Sequence, residues 1–133
     1  MRYDDVAVGT ALPSLSIPLT RSLITATAIA TRDYNAIHHD PGFAVDSGSQ
    51  DIIMNILTTN GFVGRFVTDW AGPDAILRAV TIRLGVPNHP GDTMTMTGAV
   101  TAVDDAERLA TITVRGANRL GDHVTGTVEV ELP

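Results

Sequence analysis

A chain of 133 residues that is 44% hydrophobic and 18% charged, with 12 Gly and 7 Pro, has the composition of one folded domain, and excludes a disordered chain or two ordinary domains. Its formal net charge of -6 argues against a phosphate backbone as partner, since that needs clustered cations, yet leaves room for an anionic ester held by a few local Arg residues. The absence of cysteine excludes disulfides, thiolate nucleophiles and zinc–thiolate centres; with the acidic start Met1-Arg2-Tyr3-Asp4-Asp5 and no apolar run of membrane-spanning length, the chain reads as cytoplasmic.

Val6 to Ile17, punctuated by Gly9 and Pro13 and followed by Pro18, reads as a short edge strand or extended arm. Thr20 or Ser22 then caps a helix in which Leu23, Thr27, Ala30 and Tyr34 recur at helical spacing. The expected end is near Asp33 to Asn35, because Asn tolerates the left-handed conformation of a helix stop. Asp40-Pro41 has the chemistry of a second start, and Ser47-Gly48-Ser49 breaks that short element. The longest periodic segment runs from Asp51 to about Asp69, with Ile52, Ile56, Val63, Phe66, Val67 and Trp70 as its stripe. Gly61 and Gly64 inside it suggest close packing, and Ala71-Gly72-Pro73 stops it.

After Pro73 four alternating runs read as antiparallel strands. They carry Val80, Ile82 and Leu84; Met94, Met96, Val100 and Ala102; Ala110, Ile112 and Val114; and Val124, Val128, Val130 and Leu132. The expected architecture is α+β, an antiparallel sheet wrapped around one long central helix, with residues 1–133 as a single domain. Such a sheet leaves edges uncovered, so a dimer is expected.

The stretch with chemistry is Asp33-Tyr34-Asn35-Ala36-Ile37-His38-His39-Asp40-Pro41. On a continuous helix, residues five apart point about 140° away from each other and share no small ligand. If the helix stops after Asp33 and the loop folds back, the carboxylate and the imidazole of His38 can hold one water between them. The N-terminus of the long helix, expected near Ser49 to Ile52, would then offer donors to a developing negative charge. Spacing alone is a weak signal, and it equally fits a solvated Asp33 and a satisfied loop histidine. His39 reads as surface, His89 and His123 as solvated turn residues, and Met94 and Met96 as core. No third ligand has the spacing that would turn the adjacent histidines into a metal site.

At these residues the sequence resembles the MaoC-like (R)-specific enoyl-CoA hydratase family, of hotdog fold. That family's motif Gly-Asp-x-Asn-Pro-x-His-x-Asp-x-x-Phe-Ala stands here as Arg32-Asp33-Tyr34-Asn35-Ala36-Ile37-His38-His39-Asp40-Pro41-Gly42-Phe43-Ala44. The resemblance implies that Asp33 and His38 hold the catalytic water, that Asn35 braces the loop, and that no cofactor or metal is used beyond the CoA of the substrate. Arg32 replaces the motif's Gly and Ala36 its Pro. The His-Gly that opens the family's central helix, and supplies an oxyanion donor, aligns with Asp51-Ile52, while Asn60 stands where the family approaches the substrate. Arg65, Arg78 and Arg83 are candidates for CoA phosphate contact, and equally for a solvated face.

The runs Gly48 to Ile52, Asn55 to Thr58, Val67 to Pro73, Leu84 to Pro87 and Leu120 to Val124 are similar to the small subunit of heteromeric hydratases of actinobacterial steroid side-chain degradation. That implies a steroid enoyl-CoA substrate and a larger partner that joins a second MaoC-like domain to a DUF35 domain. A homodimeric hydratase for ordinary acyl chains, a hotdog thioesterase and a non-catalytic partner subunit remain as alternatives.

Overall fold

A computed structural model describes all residues, 1–133. After a short turn at Tyr3–Asp5 come β1 (Leu15–Pro18), α1 (Arg21–Ala30), a 3-10 turn (Ala36–His38), α2 (Pro41–Asp46) and α3 (Ile56–Ala71). Four strands complete the chain: β2 (Ile76–Leu84), β3 (Thr93–Asp104), β4 (Leu109–Asn118) and β5 (Gly121–Glu131). All pairings are antiparallel, in the order β1-β3-β4-β5-β2. This is the expected hotdog arrangement of one sheet wrapped on one long helix. No helix is long and apolar enough to cross a membrane.

Period-2 alternation builds the sheet's inner face. Ala110, Ile112 and Val114 of β4 and Val124, Val128 and Val130 of β5 are buried, as are Val63, Phe66 and Val67 of α3, in one apolar cluster. Full burial of each Val, Ile or Phe contributes about 1.5–3 kcal/mol, so this layer supplies the main cohesion between helix and sheet. Ala102 is an exception: it is exposed, as are Thr101, Val103 and Asp104 at the end of β3, past a register shift between Val100 and Ala102.

The helices depart from expectation in ways that matter for the site. Thr20 caps α1 through Leu23 N–H, but α1 ends at Ala30 and its buried face is Ile24 and Ala28; Ala30 is exposed and Tyr34 lies outside the helix in solvent. The left-handed stop is Arg32, at φ 59, and Asn35 has ordinary extended angles. Arg32 N–H returns to Ile29 C=O at 2.9 Å and Asp33 N–H to Ala28 C=O at 3.0 Å, a paired main-chain closure that ends the helix without glycine.

α3 starts at Ile56, five residues later than Asp51, because Asn55 caps it by accepting from Thr58 N–H. The residues before it run extended between two loops: Ile53 N–H bonds Ile37 C=O and Met54 N–H bonds Asn88 C=O. Ile52 and Met54 are buried there, while Ile56 and Leu57 fall on the outer face, 53% and 52% exposed. Gly61 marks no close packing within the chain, since a Cβ there would meet nothing within 4 Å, and one at Gly64 would meet only Leu77 Cδ2 at 3.7 Å.

Candidate active site

The closure at the end of α1 presents Asp33. Its Oδ1 accepts from Asn35 N–H at 3.3 Å, and Asn35 Oδ1 accepts from Ile37 N–H at 3.1 Å, which caps the 3-10 turn. That turn carries His38 back over Asp33, with Nε2 at 3.1 Å from Asp33 Oδ2. His38 is 8% exposed. Its Nδ1 lies 2.7 Å from Ile53 C=O, which can only accept, so Nδ1 carries a hydrogen and Nε2 is the nitrogen facing the carboxylate. Asp40 then caps α2 through Phe43 N–H, with Pro41 in the first helical position as expected. His39 is exposed.

Sequence reasoning missed a third member of this group. Asn55 Nδ2 donates to Asp33 Oδ2 at 3.1 Å and to Thr31 Oγ1 at 2.8 Å. The Asn55 amide, then the Asn35 N–H, hold the Asp33 carboxyl below the usual carboxylate value; desolvation opposes them less strongly, and His38 adds the smallest lowering. The signal was present as an Asn immediately before Ile-Leu-Thr-Thr, but the apolar run Ile52-Ile53-Met54 let the helical pattern extend through it.

The structure does not bring Asp51-Ile52 into position as an oxyanion donor. Ile52 N–H is taken by Asp51 Oδ1 at 2.7 Å, and Ile52 is fully buried. Asp51 is paired with Arg21 through two hydrogen bonds of 2.7 and 2.8 Å, which keep its carboxyl below the ordinary range. The physical cause of the displacement is the later start of α3: the place at the helix opening belongs to Asn55-Ile56. Ile56 and Leu57 N–H have no acceptor in the chain, as the first turn of a helix dictates.

A cleft of about 280 Å³ opens between α1 and α3, lined in part by Thr31 and Thr58, the two hydroxyl partners of Asn55, and by Gly61 and Phe62. Arg65 lies along this cleft and pairs with Asp69. Asn60 lies on the β2 side in a separate cleft with Ile56, Leu57, Val80, Thr81 and Ile82, and makes no hydrogen bond to Asp33, His38 or Asn55. Arg78 pairs with Glu131 on the sheet, and Arg83 is exposed on β2.

Two histidines expected in solvent are buried. His89 Nδ1 bonds Ile52 C=O at 3.1 Å from the loop after β2. His123, 2% exposed, places Nδ1 at 2.6 Å from Val86 C=O and Nε2 at 2.8 Å from Thr59 Oγ1. Turn chemistry around them hid this, because the partners are long-range carbonyls and a helix hydroxyl. Burial lowers the His123 pKa below its ordinary 6.5, opposed only by the Val86 carbonyl. The unfolded chain therefore binds this proton first, so the contribution of His123 to stability is complete above pH ~6.5 and is lost as pH falls toward the folded value. Urea midpoints are expected to decline from about pH 6.5 downward, and His123→Asn, which cannot titrate, is expected to flatten that decline. An unchanged slope in the variant would assign it to other groups.

Comparison with known proteins follows the same lines. Residues 6–122 match the family described as MaoC like domain. Over 125 residues, 94% of this chain and 95% of the other, the sequence is 51% identical to the 3-oxo-4,17-pregnadiene-20-carboxyl-CoA hydratase beta subunit of Mycobacterium tuberculosis. It is 30% identical over 112 residues to the (R)-specific enoyl-CoA hydratase of Aeromonas caviae, covering 83% of this chain and 84% of that one. The fold matches a chain in the crystal structure of the ChsH1-ChsH2 complex from Mycobacterium tuberculosis with a TM-score of 0.92 at 50% identity, over 96% of this chain and 98% of that chain. The chain belongs to the MaoC-like family.

Proposed function

We propose that this chain is the catalytic subunit of a heteromeric enoyl-CoA hydratase, adding water across the double bond of a steroid side-chain enoyl-CoA thioester. The observation that carries the reading is the Asp33–His38 pair beside the open N-terminus of α3, in a chain that matches a steroid enoyl-CoA hydratase beta subunit over nearly its whole length. Asp33 is ionised at neutral pH, as a carboxyl with a lowered pKa must be, and its place beside His38 makes it the base. Its Oδ2 accepts from Asn55 Nδ2 and faces His38 Nε2, whereas Oδ1 receives only the Asn35 N–H and is the freer oxygen for water.

In the step we assign, Asp33 takes a proton from water while His38 Nε2 orients it, and the water oxygen bonds to the β-carbon. The π electrons move onto the thioester oxygen. We assign the N–H groups of Ile56 and Leu57, which have no acceptor in the chain and lie at the positive end of the α3 dipole, as the donors to that charge. The α-carbon then receives a proton from the pair, which returns to its starting state with atoms and charge balanced.

A partner subunit fits the unpaired side of the sheet. β2 is a nine-residue edge strand, and Ile76, Leu77 and Leu84 on it, with Ile56 and Leu57 beside it, are exposed. By the family resemblance, that partner is the larger MaoC-like/DUF35 subunit. A CoA-linked substrate supports a cytoplasmic site of action. Co-purification with the larger subunit and an assay of steroid enoyl-CoA hydration test the reading. Hydration by the complex and none by the isolated chain is the expected result. Robust hydration of a short linear enoyl-CoA by the isolated chain would overturn the heteromeric reading in favour of a self-sufficient acyl hydratase.

A further inference from the structure

We infer that Asn55 is a positioning residue that holds the Asp33 carboxylate and the opening N–H groups of α3 in one register, so that base and oxyanion donors are set by a single side chain. The inference deepens the hydratase reading and rests on it. Asn55 is 3% exposed, and all four of its side-chain hydrogen-bonding positions are used. Oδ1 accepts from Thr58 N–H at 3.1 Å and from Thr58 Oγ1 at 2.5 Å. Nδ2 gives one hydrogen to Thr31 Oγ1 and the other to Asp33 Oδ2.

The orientation of this amide is fixed by its partners. Thr58 N–H can only donate, so the atom facing it is the oxygen, and the –NH2 must face Asp33. Thr31 spends its own hydroxyl hydrogen on Ala28 C=O at 2.8 Å, so it meets Asn55 as an acceptor. Thr31 is the residue that closes α1, and Asn55 is the cap of α3. One buried amide therefore ties the end of one helix to the start of the other, with Asp33 between them. A cap alone needs an acceptor, which Ser or Asp would supply; the donor half of Asn55 is directed at the carboxylate.

The test separates those halves. Asn55→Ser retains an acceptor for the helix and removes the donor to Asp33. In the assembled enzyme we expect kcat to fall roughly tenfold to hundredfold with KM little changed, the size of losing one hydrogen bond to a charged group. The acid limb of the kcat profile should move to higher pH, because Asp33 loses its first-ranking stabiliser. Asn55→Asp keeps the cap but sets a second carboxylate against Asp33, and should move that limb further; it also carries the comparison if the Ser variant does not fold. A readout independent of turnover is the Asp33 carboxyl carbon titration by NMR, whose midpoint should rise in both variants. Unchanged kcat and an unchanged Asp33 midpoint, with only a lower melting temperature, would reduce Asn55 to a helix cap. If the wild-type complex hydrates no enoyl-CoA while the NMR midpoint still shifts, the hydratase reading fails and the positioning of Asp33 stands.

Discussion

Asp33→Asn and His38→Ala are each expected to lower turnover by at least about two orders of magnitude, the ordinary scale for a lost acid or base group. The carboxylate of Asp33 is the only acidic group within hydrogen-bonding reach of His38 Nε2, and its lowered pKa keeps it charged where the enzyme works. An amide at position 33 has similar shape and no proton affinity; with one acceptor oxygen it gives up either the Asn35 or the Asn55 hydrogen bond, a loss of about 0.5–1.5 kcal/mol that the fold should withstand. His38→Ala differs, because it strips the Ile53 carbonyl of its partner at a largely buried position. That loss should cost about 1–3 kcal/mol of stability on top of the loss of rate. Steady-state hydration measured beside far-UV circular dichroism distinguishes the two effects. Near-normal turnover in both variants would sink the catalytic assignment and leave a non-catalytic partner subunit.

Gly126→Val is expected to destabilise the fold by about 3 kcal/mol or more, the upper range for overpacking. Gly126 sits on β5 opposite Ile82 of β2 and Val114 of β4. A Cβ there would come within 2.1 Å of Thr81 C=O and 3.0 Å of Ile82 Cα. Both are main-chain atoms, and neither can swing aside as a flexible side chain does. β2 must therefore leave β5, removing the edge strand that the partner subunit is proposed to use. Urea unfolding checks this as a lower midpoint, with loss of co-purification as a second readout. Gly61→Ala is the internal contrast: nothing stands within 4 Å, the site is mid-helix, and a gain of about 1 kcal/mol is expected. A Gly126 variant as stable as wild type would mean that the β2–β5 register is not rigid.

What was legible in the sequence depended on how local its physics is. The strands after Pro73 follow from alternation, and Asp40-Pro41 from a cap and a torsion preference acting within four residues. The start of α3 was not legible, because Ile52-Ile53-Met54 carries helical periodicity yet folds as an extended strip pinned between two distant loops. The misplaced start also put the free N–H groups of the helix opening at Ile52, where the structure has them at Ile56 and Leu57. His89 and His123 were read as solvated because sequence shows turn residues nearby and not the carbonyls of Ile52 and Val86 that receive them. Asp33 and His38 were recognised from the motif, and the distance between them came from the fold.

The closure at Arg32 has a consequence for how the protein fails. A non-glycine residue in the left-handed region costs about 1–2 kcal/mol, and here it stands directly before Asp33. The two main-chain bonds that hold it lie at the last turn of a ten-residue helix, whereas the sheet is held by long ladders on both sides of β4 and β5. The turn can open while the sheet stays intact, and opening it carries Asp33 away from both His38 and Asn55. Loss of activity and loss of fold are thus expected as separate events, the first of them at the last turn of α1.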